Sequence, residues 1–149
     1  MDTMNDGPAA TRRVPIREGL LAGDLSNLGA VRLQGTRCAK CGEVSLGHNV
    51  VCPNCGSDSV ADTALAGEGV LWTFTIVRNR PPGDYKGPDP FVPFGLGLVE
   101  LPDGIRVMSP LQADIARLEI GMRLTFAAIV NHRDADGREV VAFTFRPAA

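Results

Sequence analysis

The sequence predicts a mainly β protein in two unequal parts: a small metal-stapled unit, entered through a short helical segment, followed by a five-stranded barrel. Three observations predict it. All four cysteines fall within "CAKCGEVSLGHNVVCPNCG", residues 38 to 56, while all eight aromatic residues lie after residue 71. From residue 69 the hydrophobic period becomes two, and Pro- and Gly-rich breaks separate the runs. Aromatic side chains bury the most area per residue, so the large core is C-terminal. The first part must then draw its stability from a metal or from docking.

At 149 residues the chain has room for one ordinary domain, or for a small domain with an appended module. Residues 1–13 read as a polar, flexible tail. Residues 14–34 form a docking segment: "VPIREGLLA" is expected as a short helix with Pro15 in its first turn and Ile16, Leu20 and Leu21 on an apolar side that lies on a partner. "AVRLQGTRC" then runs extended into the first cysteine pair.

Residues 35–64 hold the cysteines as C-x2-C, ten residues, C-x2-C. Two thiolates three residues apart on a tight turn both point inward, and Gly42 and Gly56 supply the permissive backbone such a knuckle prefers. Two knuckles make a tetrahedral four-sulfur site from Cys38, Cys41, Cys52 and Cys55, a rubredoxin-like zinc ribbon. Reducing surroundings favour metal ligation over disulfides. Iron also fits four sulfurs, but the short spacer and the lack of nearby aromatics favour zinc. Four thiolates and one divalent ion leave about −2 of local charge, which Arg37 and Lys40 are placed to offset. With every ligand position filled by sulfur, the ion is structural. His48, in the spacer, is not needed as a ligand.

Residues 65–149 form the barrel. "GVLWTFTIVRN" is a long strand with Val70, Trp72, Phe74 and Ile76 on one face and Leu71, Thr73, Thr75 and Val77 on the other. "RPPGDYKGPDPFVP" has five prolines and two glycines in fourteen residues and is a long loop. "FGLGLVEL" and "IRVMSPL" pair as a hairpin across "PDG", "QADIARLEIGM" crosses over, and "RLTFAAIVNH" and "EVVAFTFRP" flank the turn "RDADGR". Five strands, a long first loop and a crossover between the third and fourth fit a Greek-key barrel of the OB type; a small open sheet is the alternative.

Several functions are disfavoured. Net charge is −2, with six basic and seven acidic side chains up to residue 64 and nine and ten after it, so no basic half exists to gain from counterion release. Nucleic acid is therefore an unfavoured partner, kept only as the alternative of a zinc-ribbon/OB binding module. No run approaches the roughly 18 apolar residues of a membrane span, and the N-terminus lacks the apolar region of a secretory signal, so a cytoplasmic protein is expected. No cysteine is left as a nucleophile, and no P-loop, dinucleotide fingerprint or G-x-S-x-G is present. His132, beside the "RDADG" turn, is expected as an exposed turn residue. The chain is not expected to be an enzyme alone. The proline loop carries Arg78, Arg80, Tyr85, Lys86 and Phe91, which could hold a phosphorylated adenine nucleotide by charge and stacking. It could equally be a solvated loop ordered by a partner, and Asp84 and Asp89 dilute its charge.

The order of "RCAKCG", "VCPNCGS", "GEGVLWTFTIV", "PFGLGLVELPDGIRV" and "LEIGMRLTF" resembles the acyl-CoA-associated family that joins a rubredoxin-like zinc ribbon to an OB fold, over roughly residues 15–146. The resemblance implies a non-catalytic small subunit of a thiolase-like complex acting on acyl-CoA, the small subunit of an aromatic-degradation enzyme such as benzylsuccinyl-CoA thiolase being one specific case. It implies a hetero-oligomer in which the larger partner supplies cysteine and histidines for C–C bond cleavage or formation. The ribbon and N-terminal segment would pack on that partner, and this chain would shape the coenzyme A or acyl-CoA entrance. Relatives often carry an aromatic-Pro-Pro-Arg run before the second knuckle; Leu46, Gly47, His48 and Asn49 stand here instead.

Overall fold

In the computed structural model, which describes residues 12–148, ten strands are joined by turns and two short 3-10 segments, Leu28–Ala30 and Ile115–Arg117. Most of the tail expected over residues 1–13 lies outside the described residues.

The N-terminal helix does not form. Val14 and its neighbours instead make β1 (Arg13–Pro15), which runs parallel to the last strand, β10 (Glu139–Pro147), in the register Arg13 with Glu139 and Pro15 with Val141. A β-branched residue and a proline lose little at a sheet edge, whereas Gly19 and Gly23 leave a helix over this run weak by propensity. Arg13 pins the pairing through a 2.9 Å ion pair to Glu139 and a bond to the Leu25 carbonyl. Gly19 and Gly23 then take φ of +79° and +108°. Those left-handed residues break any helical run and turn the chain into β2 (Leu21–Ala22), which pairs with β3 (Arg32–Cys38).

β3 is the spine of the ribbon. It pairs with β4 (Val44–Leu46) on one side and β5 (Val60–Ala64) on the other. Thr36, buried on β3, accepts from the Asn49 N–H at 3.0 Å and donates to the Gly47 carbonyl at 2.7 Å, fixing the spacer between the knuckles.

The barrel is five-stranded, as the spacing of runs predicts: β6 (Glu68–Val77), β7 (Phe94–Glu100), β8 (Arg106–Leu111), β9 (Arg123–Arg133) and β10. The order β9-β6-β7-β8-β10 closes through antiparallel β9 and β10, while β8 meets β10 in parallel at Leu111 and Phe145. This is the OB arrangement.

The alternation expected along β6 is broken. Leu71 faces Val99 of β7, but the next pair is Thr73 with Leu98, so Trp72 is an extra residue in a bulge. Leu71 and Phe74 consequently both turn to the core, and Val70 and Trp72 are exposed. Arg106 covers the Trp72 ring at 4.0 Å. Inside, Gly97 is required by contact: a Cβ there would meet Leu71 at 2.7 Å and Leu111 at 3.0 Å.

The two units share one hydrophobic core. Leu20 and Leu33 from the ribbon side, and Leu65 at the junction, belong to one cluster with Leu71, Phe126 and Phe145 of the barrel. The linker is held as tightly, since Asp103 accepts from the Ala66 N–H and Phe126 donates to the Gly67 carbonyl.

Candidate metal centre and ligand groove

β3 delivers Cys38 to the first knuckle, and the Cys38 N–H bonds the Glu43 carbonyl to close it. The second knuckle repeats the pattern, Cys52 bonding Ser57. In each, the glycine after the second cysteine bonds back to the first at 2.9 Å, with φ of +79° at Gly42 and +77° at Gly56. A Cβ at either would meet nothing within 4 Å, so conformation, not space, calls for glycine. Lys40 and Cys41 N–H groups aim at the Cys38 sulfur, and Asn54 and Cys55 N–H groups at that of Cys52.

The four sulfurs converge. Cys38 and Cys55 are 3.6 Å apart, as are Cys41 and Cys52, and all four lie within 4.8 Å of one another. A tetrahedron with Zn–S bonds of about 2.3 Å has edges of about 3.8 Å, so the donor set fits zinc. The thiols compete for ionisation. The Asn54 side-chain amide and the Glu43 backbone bring Cys41 down to about 6. The Ser57 backbone favours the Cys55 thiolate, but desolvation and the other three sulfurs outweigh it and push Cys55 up to about 12. A divalent ion supplies the positive charge that lets all four ionise together. Asn54 is a residue the sequence reading missed; its place between the cysteines of C-P-N-C was the available signal. His48 stands apart, its Nδ1 2.8 Å from Asp62.

The proline loop between β6 and β7 does not gather its cations. Arg80 lies over the Tyr85 ring at 5.3 Å and reaches the Tyr85 carbonyl, Lys86 is paired with Asp84 at 3.0 Å, and Arg78 is exposed outside the groove. The aromatics do gather. Tyr85 packs on Phe91 at 5.9 Å and stacks on Phe94 at 6.3 Å. Beside them runs a groove of about 750 Å³ between the loop and the ends of β8, β9 and β10, within the range of small-molecule sites. Ile129, Phe143, Val92 and Pro110 give it an apolar lining, with Lys86, Gln112 and Asn131 as polar groups. His132, expected as a turn residue, lies on its wall with Nδ1 2.9 Å from the Asn131 amide. Phe94, Ile129 and Phe143 were not anticipated as groove residues, because three separate elements bring them together.

Of the expected docking residues, Leu20 is 5% exposed and belongs to the chain's own core, which corrects its assignment to a partner surface. The positive-φ turn at Gly19 points it inward. Leu21 packs against the same core, and Ile16, 46% exposed, borders the groove.

A closed four-sulfur ribbon sharing its core with an OB barrel defines a class of small two-part proteins whose metal leaves no coordination position for substrate. Family models match both parts: "ChsH2, rubredoxin-like zinc ribbon domain" over residues 29–61 and "ChsH2, C-terminal OB-fold domain" over residues 62–129. A "DUF35 domain-containing scaffold protein" of Pyrococcus furiosus is 33% identical over 120 residues, covering 78% of this chain and 83% of the relative. "Benzoylsuccinyl-CoA thiolase subunit BbsA" of Thauera aromatica is 25% identical over 116 residues, covering 76% and 75%. The solved "Ltp2-ChsH2(DUF35) aldolase" is similar at a TM-score of 0.62 and 27% identity, over 79% of this chain and 86% of that one. The chain belongs to the ChsH2-type zinc-ribbon and OB-fold family, the DUF35 proteins.

Proposed function

We propose that this chain is a non-catalytic auxiliary subunit of a thiolase- or aldolase-like complex, a hetero-oligomer in which the larger partner makes or breaks a C–C bond of an acyl-CoA. One observation carries the reading: every thiol of the chain is drawn into a closed metal cluster. The nucleophile such chemistry needs must therefore come from another subunit. The printed descriptions of the relatives, a scaffold, a thiolase subunit and an aldolase, support the same division of labour. The thiolase relative also favours an aromatic acyl group.

In this reading zinc holds the ribbon's shape and the groove borders the acyl-CoA path. Its apolar lining suits a pantetheine or acyl arm better than the phosphates assigned to the loop from sequence, because Lys86 and Arg80 already have partners. Residues 14–34 remain the segment proposed to face the partner, through Ile16 and Leu21. The absence of a long apolar helix among the described residues is compatible with a cytoplasmic setting.

Co-expression with the neighbouring reading frames, followed by affinity purification, tests the proposal. A thiolase-like chain should copurify, and its activity should fall when this chain is omitted. Recovery of the chain alone, with full activity of the larger protein without it, would sink the reading.

A further inference from the structure

The ribbon looks two-fold symmetric, yet its hydrogen bonds are not. Cys38 receives the N–H groups of Lys40 and Cys41, and Cys52 receives those of Asn54 and Cys55. Cys41 receives the Asn54 side-chain amide, which reaches across from the other knuckle at 3.5 Å. The Cys55 sulfur lies 3.6 Å from that of Cys38 and has no such side-chain donor among the described residues. Lys40, the first-knuckle counterpart of Asn54, carries an ammonium on a flexible stem where Asn54 has a short amide. Cys38 and Cys52 are buried, while Cys41 and Cys55 are exposed, so accessibility does not separate the latter two.

Each N–H aimed at a metal-bound thiolate withdraws charge from the sulfur and lowers its reactivity toward electrophiles. We propose that Cys55 is the reactive sulfur of the metal centre, a modification site for soft electrophiles and hydroperoxides, and that Asn54 is the positioning residue that protects Cys41 from the same chemistry. With iodoacetamide, the Cys55 thiolate attacks the methylene carbon, an S–C bond forms, and iodide leaves with the C–I electron pair. With a hydroperoxide, the thiolate takes the terminal oxygen, the O–O bond breaks and the alkoxide leaves as alcohol. The Cys38 sulfur, 3.6 Å away, then displaces hydroxide to form a disulfide, and the divalent ion is released with two ligands lost. The hydroperoxide is the two-electron oxidant and the pair of thiolates the reductant, so the step balances.

The test uses the zinc-loaded full chain. Substoichiometric iodoacetamide followed by peptide mass spectrometry should place label on Cys55 over Cys41 by roughly fivefold, the order of one ordinary net hydrogen bond. Asn54→Ala should bring the two to near equality at unchanged zinc content, and Asn54→Asp, which sets a carboxylate beside the sulfur, should move label toward Cys41. A single equivalent of tert-butyl hydroperoxide should release zinc, read with a chromogenic chelator, and yield the Cys38–Cys55 disulfide first. Label starting on Cys41, a partition insensitive to Asn54→Ala, or a first disulfide containing Cys41 would each overturn the proposal.

Discussion

Leu65 joins the two parts of the protein, and Leu65→Ala is the substitution that measures the joint. The side chain is 2% exposed, its backbone N–H bonds the Leu33 carbonyl at 2.8 Å, and it lies so close over Gly35 that a Cβ there would meet its Cδ2 at 2.5 Å. Truncation leaves a cavity between strands fixed by the metal on one side and by the closed barrel on the other, so collapse into the void is limited. Leu→Ala changes at such sites cost about 3 to 5 kcal/mol. The chain is intermediate in length between classes in which 1 kcal/mol moves Tm by roughly 2 to 8 °C, so the melt should fall by at least about 6 °C. Two probes follow the same heating: aromatic near-UV dichroism, which reports only the barrel because every aromatic residue lies there, and zinc capture by a chromogenic chelator, which reports the ribbon. In the parent protein the transitions should coincide, and in Leu65→Ala zinc capture should precede loss of the aromatic signal. Separate transitions in the parent, or a cost below about 1 kcal/mol in the variant, would refute a shared core.

Cys38→Ser should lower zinc content from one per chain to near zero and abolish copurification with the larger partner; full zinc with an intact complex would contradict a structural role for the metal. Gly97→Ala should destabilise by about 1 to 3 kcal/mol through overpacking against Leu71 and Leu111, read as a lower denaturant midpoint at unchanged slope, and a neutral result would deny the close contact. At Asp134, burial favours the neutral acid, but the Arg138 backbone and guanidinium and the Asp136 N–H outweigh it and hold the carboxyl below its ordinary value. A lowered native pKa stabilises above the unfolded value of about 3.9 and is lost as pH falls through the native one. Asp134→Asn should therefore be less stable than the parent at pH 7, with the gap closing below about pH 4; a gap constant with pH would count against it.

The strands after residue 65 and the sulfur cluster were legible because both are written locally, in period-two runs bounded by turn residues and in fixed C-x2-C spacing. What was not legible depends on partners far along the chain. Val14 and Pro15 become strand only because Val140 and Val141 offer an edge more than a hundred residues later, and without that edge "VPIREGLLA" has only its weak local preference. The period-two reading of "VLWTFTIV" hid the bulge, since an extra residue at Trp72 is visible in the register with β7. Leu20 looked like a docking residue until the turn at Gly19 pointed it inward. The groove escaped for the same reason as β1: Tyr85, Ile129 and Phe143 share no spacing, only a place.

β1 also has a protective consequence. By lying along Glu139–Val141 it occupies hydrogen-bonding groups of β10 that β8, which reaches that strand only at Phe145, does not. A chain shortened to begin at residue 17 would keep its metal and its barrel but offer a bare edge bordered by Val140 and Val141, the kind of surface on which neighbouring chains pair. Its self-association, visible by light scattering at concentrations where the full chain stays monodisperse, would show that three residues act as a guard strip; an equally monodisperse truncation would show that the edge guards itself.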